Sequence, residues 1–237
     1  MYYHIGTLTY HGERYTFEYS HKSESPRNVH EAIRQGYRLH PAFPNLNKTY
    51  ESEKLFTTFN RRIPDHTRIG FEEILEELSL SEDADRMDVL RETRGVLSGD
   101  PYSFEEPLRL HEDILHSNFY INGMRHNNKL PENWSEFLKP GDQLVPEVDE
   151  DNSFDQYAVR IMNTEGLFIG YVPGIYAQAV HSLLKNNENV VLEVKKVRSY
   201  YTPQWWVKVK LTATVNFDKK GYEYRTKLNS CIFKDTA

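Results

Sequence analysis

With one cysteine, Cys231, in 237 residues, the chain cannot hold an internal disulfide framework. That points to a reducing compartment. No stretch approaches the roughly 18 consecutive apolar residues of a membrane-spanning helix. The opening MYYHIGTLTY has neither the basic n-region nor the apolar h-region of a secretory signal. The expectation is a soluble cytoplasmic protein with no membrane partner. Metal-binding grammar is equally scarce. The ten histidines include no H-E-x-x-H pair, and His111 and His116 are wrongly spaced for one helix face. With a single thiol, no zinc set is expected. No Gly-rich phosphate loop, H-R-D or D-F-G occurs, so phosphoryl transfer has no support. Neither cofactor nor metal is expected, and the protein reads as non-enzymatic. Internal repeats and low-complexity linkers are also missing.

What the chain does have is divided charge. The net charge of −6 argues at first against a nucleic-acid partner. Residues 72–92, however, carry nine acids against Arg86 and Arg91, a local −7, while residues 190–227 carry nine Lys/Arg against Glu193, Asp218 and Glu223, a local +6. A basic groove can therefore sit on an acidic protein.

The texture changes along the chain. YHIGTLTY-HG-ERYTFEYS predicts a hairpin turning at His11-Gly12. NVHEAIRQG predicts a short helix with Asn28 as N-cap and Gly36 just past its end. A proline-broken loop follows, then a helix over SEKLFTTFNRRIP. In FEEILEELSL, Phe71, Ile74, Leu75 and Leu78 fall on one face of a helix whose outer face is wholly acidic. That face reads as solvated, with a partner surface as the alternative. SEDADRMDVLRETRG predicts another helix, capped by Ser81 and ended by Gly95. From Phe119 onward strands dominate: FYINGMRH, DQLVPEV, YAVRIM, LFIGYVP, NVVLEVKKVRSYY and PQWWVKVKLTATV, interrupted by one helix, GIYAQAVHSLLKNN. The expected fold class is α+β. A small N-terminal α+β domain, 1–113, precedes a small β-barrel with one helix, 114–237.

One loop carries unusual chemistry. In DNSFDQYAVRI, Asn152 and Asp155 are residues that bond their own backbone in turns, but a turn does not require the Phe154 between them. A strand mouth offering an aromatic face beside a carboxylate and an amide can stack a base while the carboxylate accepts from a hydroxyl. Alternatively, Asn152 and Asp155 satisfy the loop backbone and Phe154 plugs the barrel end. A second feature is the strand after Trp205. Alternation there turns Val207, Val209, Leu211 and Ala213 one way and Trp206, Lys208, Lys210 and Thr212 the other. Trp206, Lys208 and Lys210 suit a nucleic-acid track; exposed strand lysines also guard an edge against aggregation. Lys195, Lys196, Arg198, Tyr200 and Tyr201 add to the first reading. Asp155, Glu193 and Lys195 form a D…E-x-K series of the kind that holds Mg²⁺ in nucleases, a weak pattern on an alternating strand.

The order and spacing of Gly123-Met124-Arg125, Gly141-Asp142, Asn152-Ser153-Phe154-Asp155-Gln156-Tyr157-Ala158-Val159 and Gly166-Leu167-Phe168-Ile169-Gly170-Tyr171, then a helix, resemble the HIRAN family over about half the chain. The resemblance implies an OB-like barrel that binds single-stranded DNA at its 3′ end, in a bacterial setting where such domains also occur alone. It implies that Asp155 accepts the terminal 3′-hydroxyl, with Asn152 a polar neighbour. Phe154 would stack on a base, and Arg125 would contact the backbone. His126 stands where the family has a stacking Tyr, Tyr171 where it has a His, and Gly174 where it has a phosphate-binding Lys. The acidic run Asp149-Glu150-Asp151 lies beside the site. More weakly, GTLTYHGERYTFEYS and LFTTFNRRIPD resemble the first N-terminal subdomain of HipA-type toxin kinases. The leading expectation is a DNA-binding protein whose partners are single strands, DNA ends or a DNA-processing protein. The alternative is an interaction protein that docks a HipA-type kinase and whose barrel is structural.

Overall fold

The computed structural model describes residues 2–23 and 25–216, with the backbone of 232–234. Two compact units result: Tyr3–Glu105, and Tyr2 with the described residues from Glu106 onward. Cys231 and the basic residues Lys219, Lys220, Arg225 and Lys227 lie outside the described residues.

In the first unit, β1 (Gly6–Tyr10) and β2 (Tyr15–Tyr19) form the expected hairpin, and β3 (Tyr50–Ser52) adds to β2. His11 N–H bonds Arg14 C=O, so the turn spans Gly12-Glu13, one residue later than the sequence suggests. Helix α1 (Val29–Arg34) is capped as expected, the Asn28 side chain accepting from His30 and Glu31 N–H. The helix expected over 52–64 shrinks to the single turn α2 (Thr57–Asn60). Packing explains the loss. Phe43 and Phe59 close on Phe17, and Phe43, Phe56 and Phe59 on one another, at ring separations of 4.4–5.8 Å, and aromatic burial of this size overrides a weak local preference. Helix α3 (Phe71–Leu78) buries Leu75 and leaves its glutamates outside, as the spacing dictates. Helix α4 (Arg86–Thr93) starts four residues later than expected, with Asp85 rather than Ser81 as its N-cap. Asp85 wins because Asp88 returns a bond to its backbone, closing a capping box that Ser81 could not close with Ala84 three residues on.

The second unit begins at Glu106 rather than 114, because β4 (Leu108–His111), unforeseen in the sequence, pairs with β5 (Ile114–Tyr120). The expected boundary falls in the turn between them. Then come β6 (Gln143–Val148), β7 (Val159–Met162), β8 (Phe168–Tyr171), α5 (Gly174–Lys185), β9 (Val190–Val197) and β10 (Val207–Thr214). The order β4-β5-β10-β9-β6-β7-β8 is antiparallel throughout, and the short β11 (Ile232–Lys234) runs parallel beside β4. The sheet curls until β8, at one edge, meets the chain just past the interior strand β5. Asn122, just past β5, and Tyr171, ending β8, exchange both backbone hydrogen bonds at 2.8–2.9 Å and close the ring. Inside lie Leu115, Phe119, Ile121, Val159, Ile161, Ile169, Leu192, Val207, Val209 and Leu211, with α5 packing Ala179, Val180 and Leu183 against them.

Closure depends on Gly170. A Cβ there would lie 2.5 Å from the Asn122 carbonyl oxygen, the acceptor in the closing bridge. FYINGMRH is accordingly not one strand. Gly123, at φ 77°, turns the chain off the sheet into a 3₁₀ turn over Met124–His126 with Met124 buried.

Candidate functional site

The closing bridge, the 123–126 turn and the loop between β6 and β7 converge on the ring of Tyr171. The loop is held by its own side chains. Asn152 Oδ1 accepts from both Phe154 and Asp155 N–H at 3.0 Å, and Asp155 Oδ1 accepts from Tyr157 N–H at 2.9 Å. Asn152 Nδ2 donates to Asp149 Oδ2 at 3.2 Å, which fixes the amide so that its oxygen faces the loop. The backbone-satisfying reading of the loop therefore holds in part. Asn152 and Asp155 do satisfy the backbone, yet Phe154 plugs nothing: it is 89% exposed. A tightly bonded turn holds a large apolar ring out in water.

Behind that turn sits Asp149, only 8% exposed. Its Oδ2 also accepts the Tyr171 hydroxyl at 3.0 Å, and its Oδ1 lies 4.0 Å from Arg160 Nε. Burial, and then the bond to Asp149, raises the Tyr171 pKa above the usual 10.0, so the phenol stays a donor. On the other side, the position of a Cβ on Gly123 would fall 3.2 Å from the Tyr171 ring, so the 123–126 turn rests on that ring. Arg125 and His126 are exposed at this turn. The acidic run is thus less forbidding than its sequence. Asp149 is buried among three donors, and Glu150 pairs with Lys185, which holds its carboxyl below the ordinary range.

Arg125, His126, Asn152, Phe154, Asp155 and Tyr171 are thus placed on elements that meet at one hub. The expected track on β10 is not. Trp206 precedes the strand in helical conformation, tilts onto Trp134 at 5.2 Å and donates its indole N–H to Tyr201 O. Lys208 stays on the face opposite Val207 and Val209 but is only 9% exposed, lying over the ring of Tyr120, its cross-strand partner on β5. Lys210 alone of the three is exposed. At the tip of the β9–β10 hairpin, Tyr200 stands exposed against Tyr201, with Arg198 5.2 Å from the latter's ring.

The D…E-x-K series is not assembled. Glu193 pairs with Gln143 at the start of β6, whereas Asp155 lies past its end at Val148. Five residues of strand separate them by roughly 16 Å. Glu193 also spends itself on Lys195 at 2.6 Å. Among the described residues, no three His, Cys, Asp or Glu side chains are grouped to hold a metal ion, and no helix is long and apolar enough to cross a membrane. Sequence reasoning missed Asn122, Asp149 and Arg160 as parts of this hub. Asp149 had left a trace in the acidic run beside the site, and Arg160 as a charged residue between Val159 and Ile161 in an apolar strand.

Residues 114–218 match the HIRAN domain. No curated protein matches the chain. Among solved structures, the crystal structure of the HIRAN domain of human HLTF is similar at 15% identity and TM-score 0.38, covering 50% of this chain and 90% of that one. An NMR structure of the HLTF HIRAN domain in its DNA-bound conformation gives 13% and 0.32, covering 52% and 86%. A Lactobacillus plantarum protein gives 12% and 0.36, covering 43% and 99%. The HIRAN match begins at Ile114, and these comparisons lend no support to the HipA-like resemblance of the first 113 residues.

Proposed function

We propose that the second unit binds single-stranded DNA without catalysis and accepts a 3′ end at the β6–β7 loop. The observation that carries this is Phe154, 89% exposed on a turn whose backbone is pinned by Asn152 and Asp155. Leaving a phenyl ring in water while fixing its pedestal makes sense if something stacks on it. A base does so with little sequence preference and gains about 1–3 kcal/mol. Asp155 stands beside it with one carboxylate oxygen engaged by Tyr157 N–H. A carboxylate offers about four lone-pair sites, so it can hold the turn and accept from a sugar hydroxyl together. The HIRAN match over these residues supports the same ligand class, and a DNA-bound HIRAN domain of another protein agrees with it. A cytoplasmic, DNA-processing context follows from this reading. Docking of a HipA-type kinase has no structural observation in its favour.

The test is a titration with labelled single strands ending in a 3′-hydroxyl or a 3′-phosphate, and with duplex. The 3′-hydroxyl strand should bind best, since the Asp155 carboxylate attracts the donor and repels the phosphate. Equal binding of both ends would remove end recognition, and duplex binding as tight as single strand would move the site elsewhere.

A further inference from the structure

We infer that Arg160 is a backbone-phosphate contact of this face, an inference that rests on the nucleic-acid reading above. On β7 the neighbours Val159 and Ile161 are fully buried, so Arg160 points to the outer surface, where its side chain is 42% exposed. Register sets it directly across from Tyr171 on β8 and from Glu147 on β6. It therefore flanks the Tyr171 ring on the side away from Gly123 and the Arg125 turn.

The guanidinium is positioned but not consumed. Its nearest carboxylate oxygen, Asp149 Oδ1, is 4.0 Å from Nε, too long for a hydrogen bond. The other Asp149 oxygen takes both the Tyr171 and the Asn152 bonds. Nε is shielded from solvent and has no hydrogen-bond partner among the described residues, and no ion pair forms with Glu147 across the strand. Two other cations on this unit are spent: Lys185 bonds Glu150, and Lys195 bonds Glu193. Arg160 keeps its planar fork of donors while Asp149 holds it in place by charge alone. That fork matches two oxygens of a phosphate, which an ammonium cannot do. A strand whose terminal base rests on Phe154 would pass its backbone along the outer face that carries Arg160 and Tyr171.

The experiment titrates a fluorescent 3′-hydroxyl single strand against the full chain at several salt concentrations, comparing parent, Arg160→Gln and Arg160→Lys. Each phosphate contact to a single strand adds about 0.7 to the log–log salt slope. Arg160→Gln should lower the slope by that amount. Its deficit relative to the parent should then shrink about 2.6-fold between 50 and 200 mM salt. Arg160→Lys keeps the charge beside Asp149, and with it the fold. It should retain the slope yet bind more weakly, having lost the two-pronged contact. An unchanged slope in Arg160→Gln, or parent affinity in Arg160→Lys, overturns the contact while the nucleic-acid reading stands. A parent that binds no single strand overturns both.

Discussion

The Tyr171 hydroxyl donates to the buried carboxylate of Asp149 at 3.0 Å, tying the strand that closes the barrel to the loop that presents Phe154. One hydrogen bond thus links fold closure to the candidate site. Without it, Asp149 would keep the Asn152 amide and a cation 4.0 Å away as its nearest partners.

Tyr171→Phe should therefore destabilise the second unit by about 1–3 kcal/mol, the cost of leaving a buried acceptor short of a partner. Chemical denaturation monitored by tryptophan fluorescence reads this, since Trp134 and Trp206 both belong to that unit. A variant as stable as the parent would mean that solvent already satisfies Asp149.

Gly170→Ala places a methyl 2.5 Å from the Asn122 carbonyl, against backbone that cannot move without opening the bridge. The expected result is loss of a cooperative melt for the barrel, or failure to accumulate in soluble form. Gly123→Ala is milder. Its left-handed φ of 77° and the 3.2 Å approach to the Tyr171 ring should cost about 1–2 kcal/mol. Equal damage from the two substitutions would argue against closure through Asn122 and Tyr171.

The first unit should be acid-sensitive through His40. Its Nδ1 accepts from Ala42 N–H at 3.1 Å, and its Nε2 bonds the Thr58 hydroxyl at 3.0 Å, an arrangement that needs a neutral ring. Burial, and secondarily the Arg62 cation, lowers its pKa below 6.5, against an opposing pull from Asp100. A lowered folded value means that the ring's contribution is complete above about pH 6.5 and is lost as pH falls through that value. The melting temperature should drop between about pH 7.5 and 5, and His40→Gln should flatten the drop. If the full drop persists in His40→Gln, the sensitivity belongs to another group, such as the half-buried His4, whose pKa is also lowered by desolvation.

Phe154→Ala and Asp155→Asn should separate stacking from end recognition. Phe154 touches little, so its loss should leave the melt unchanged while weakening hydroxyl and phosphate ends alike by about 1–3 kcal/mol. Asparagine at 155 can still accept the Tyr157 N–H, so the turn survives. The change should weaken hydroxyl ends by about 1–2 kcal/mol and narrow the gap to phosphate ends. A lower melt with end preference untouched would assign Asp155 to the turn alone.

Much of this was legible in the residues. Strand-forming runs marked β6 to β10, strictly alternating in β10, and α5 stood out among them as one helical stretch. The loop chemistry of Asn152, Phe154 and Asp155 was visible because turn residues do not need an aromatic. What escaped depends on partners distant in sequence. The strand at Tyr50–Ser52 exists only because β2 offers it an edge, and the helix expected around it gave way to the packing of Phe43, Phe56 and Phe59. Lys208 was read as exposed because alternation gives the face of a strand and not what covers it, here the Tyr120 ring across β5. Arg160 and Asp149 joined the site through register and loop closure, which set Tyr171 between them.

The most direct measurement of the central claim is amide chemical-shift mapping of the full chain with a short single-stranded oligonucleotide. Perturbations should cluster at Asn122–His126, Asn152–Tyr157, Arg160 and Tyr171, saturating together with one affinity. Perturbations confined to the β9–β10 hairpin or to the acidic helices α3 and α4, or none at all, would contradict it.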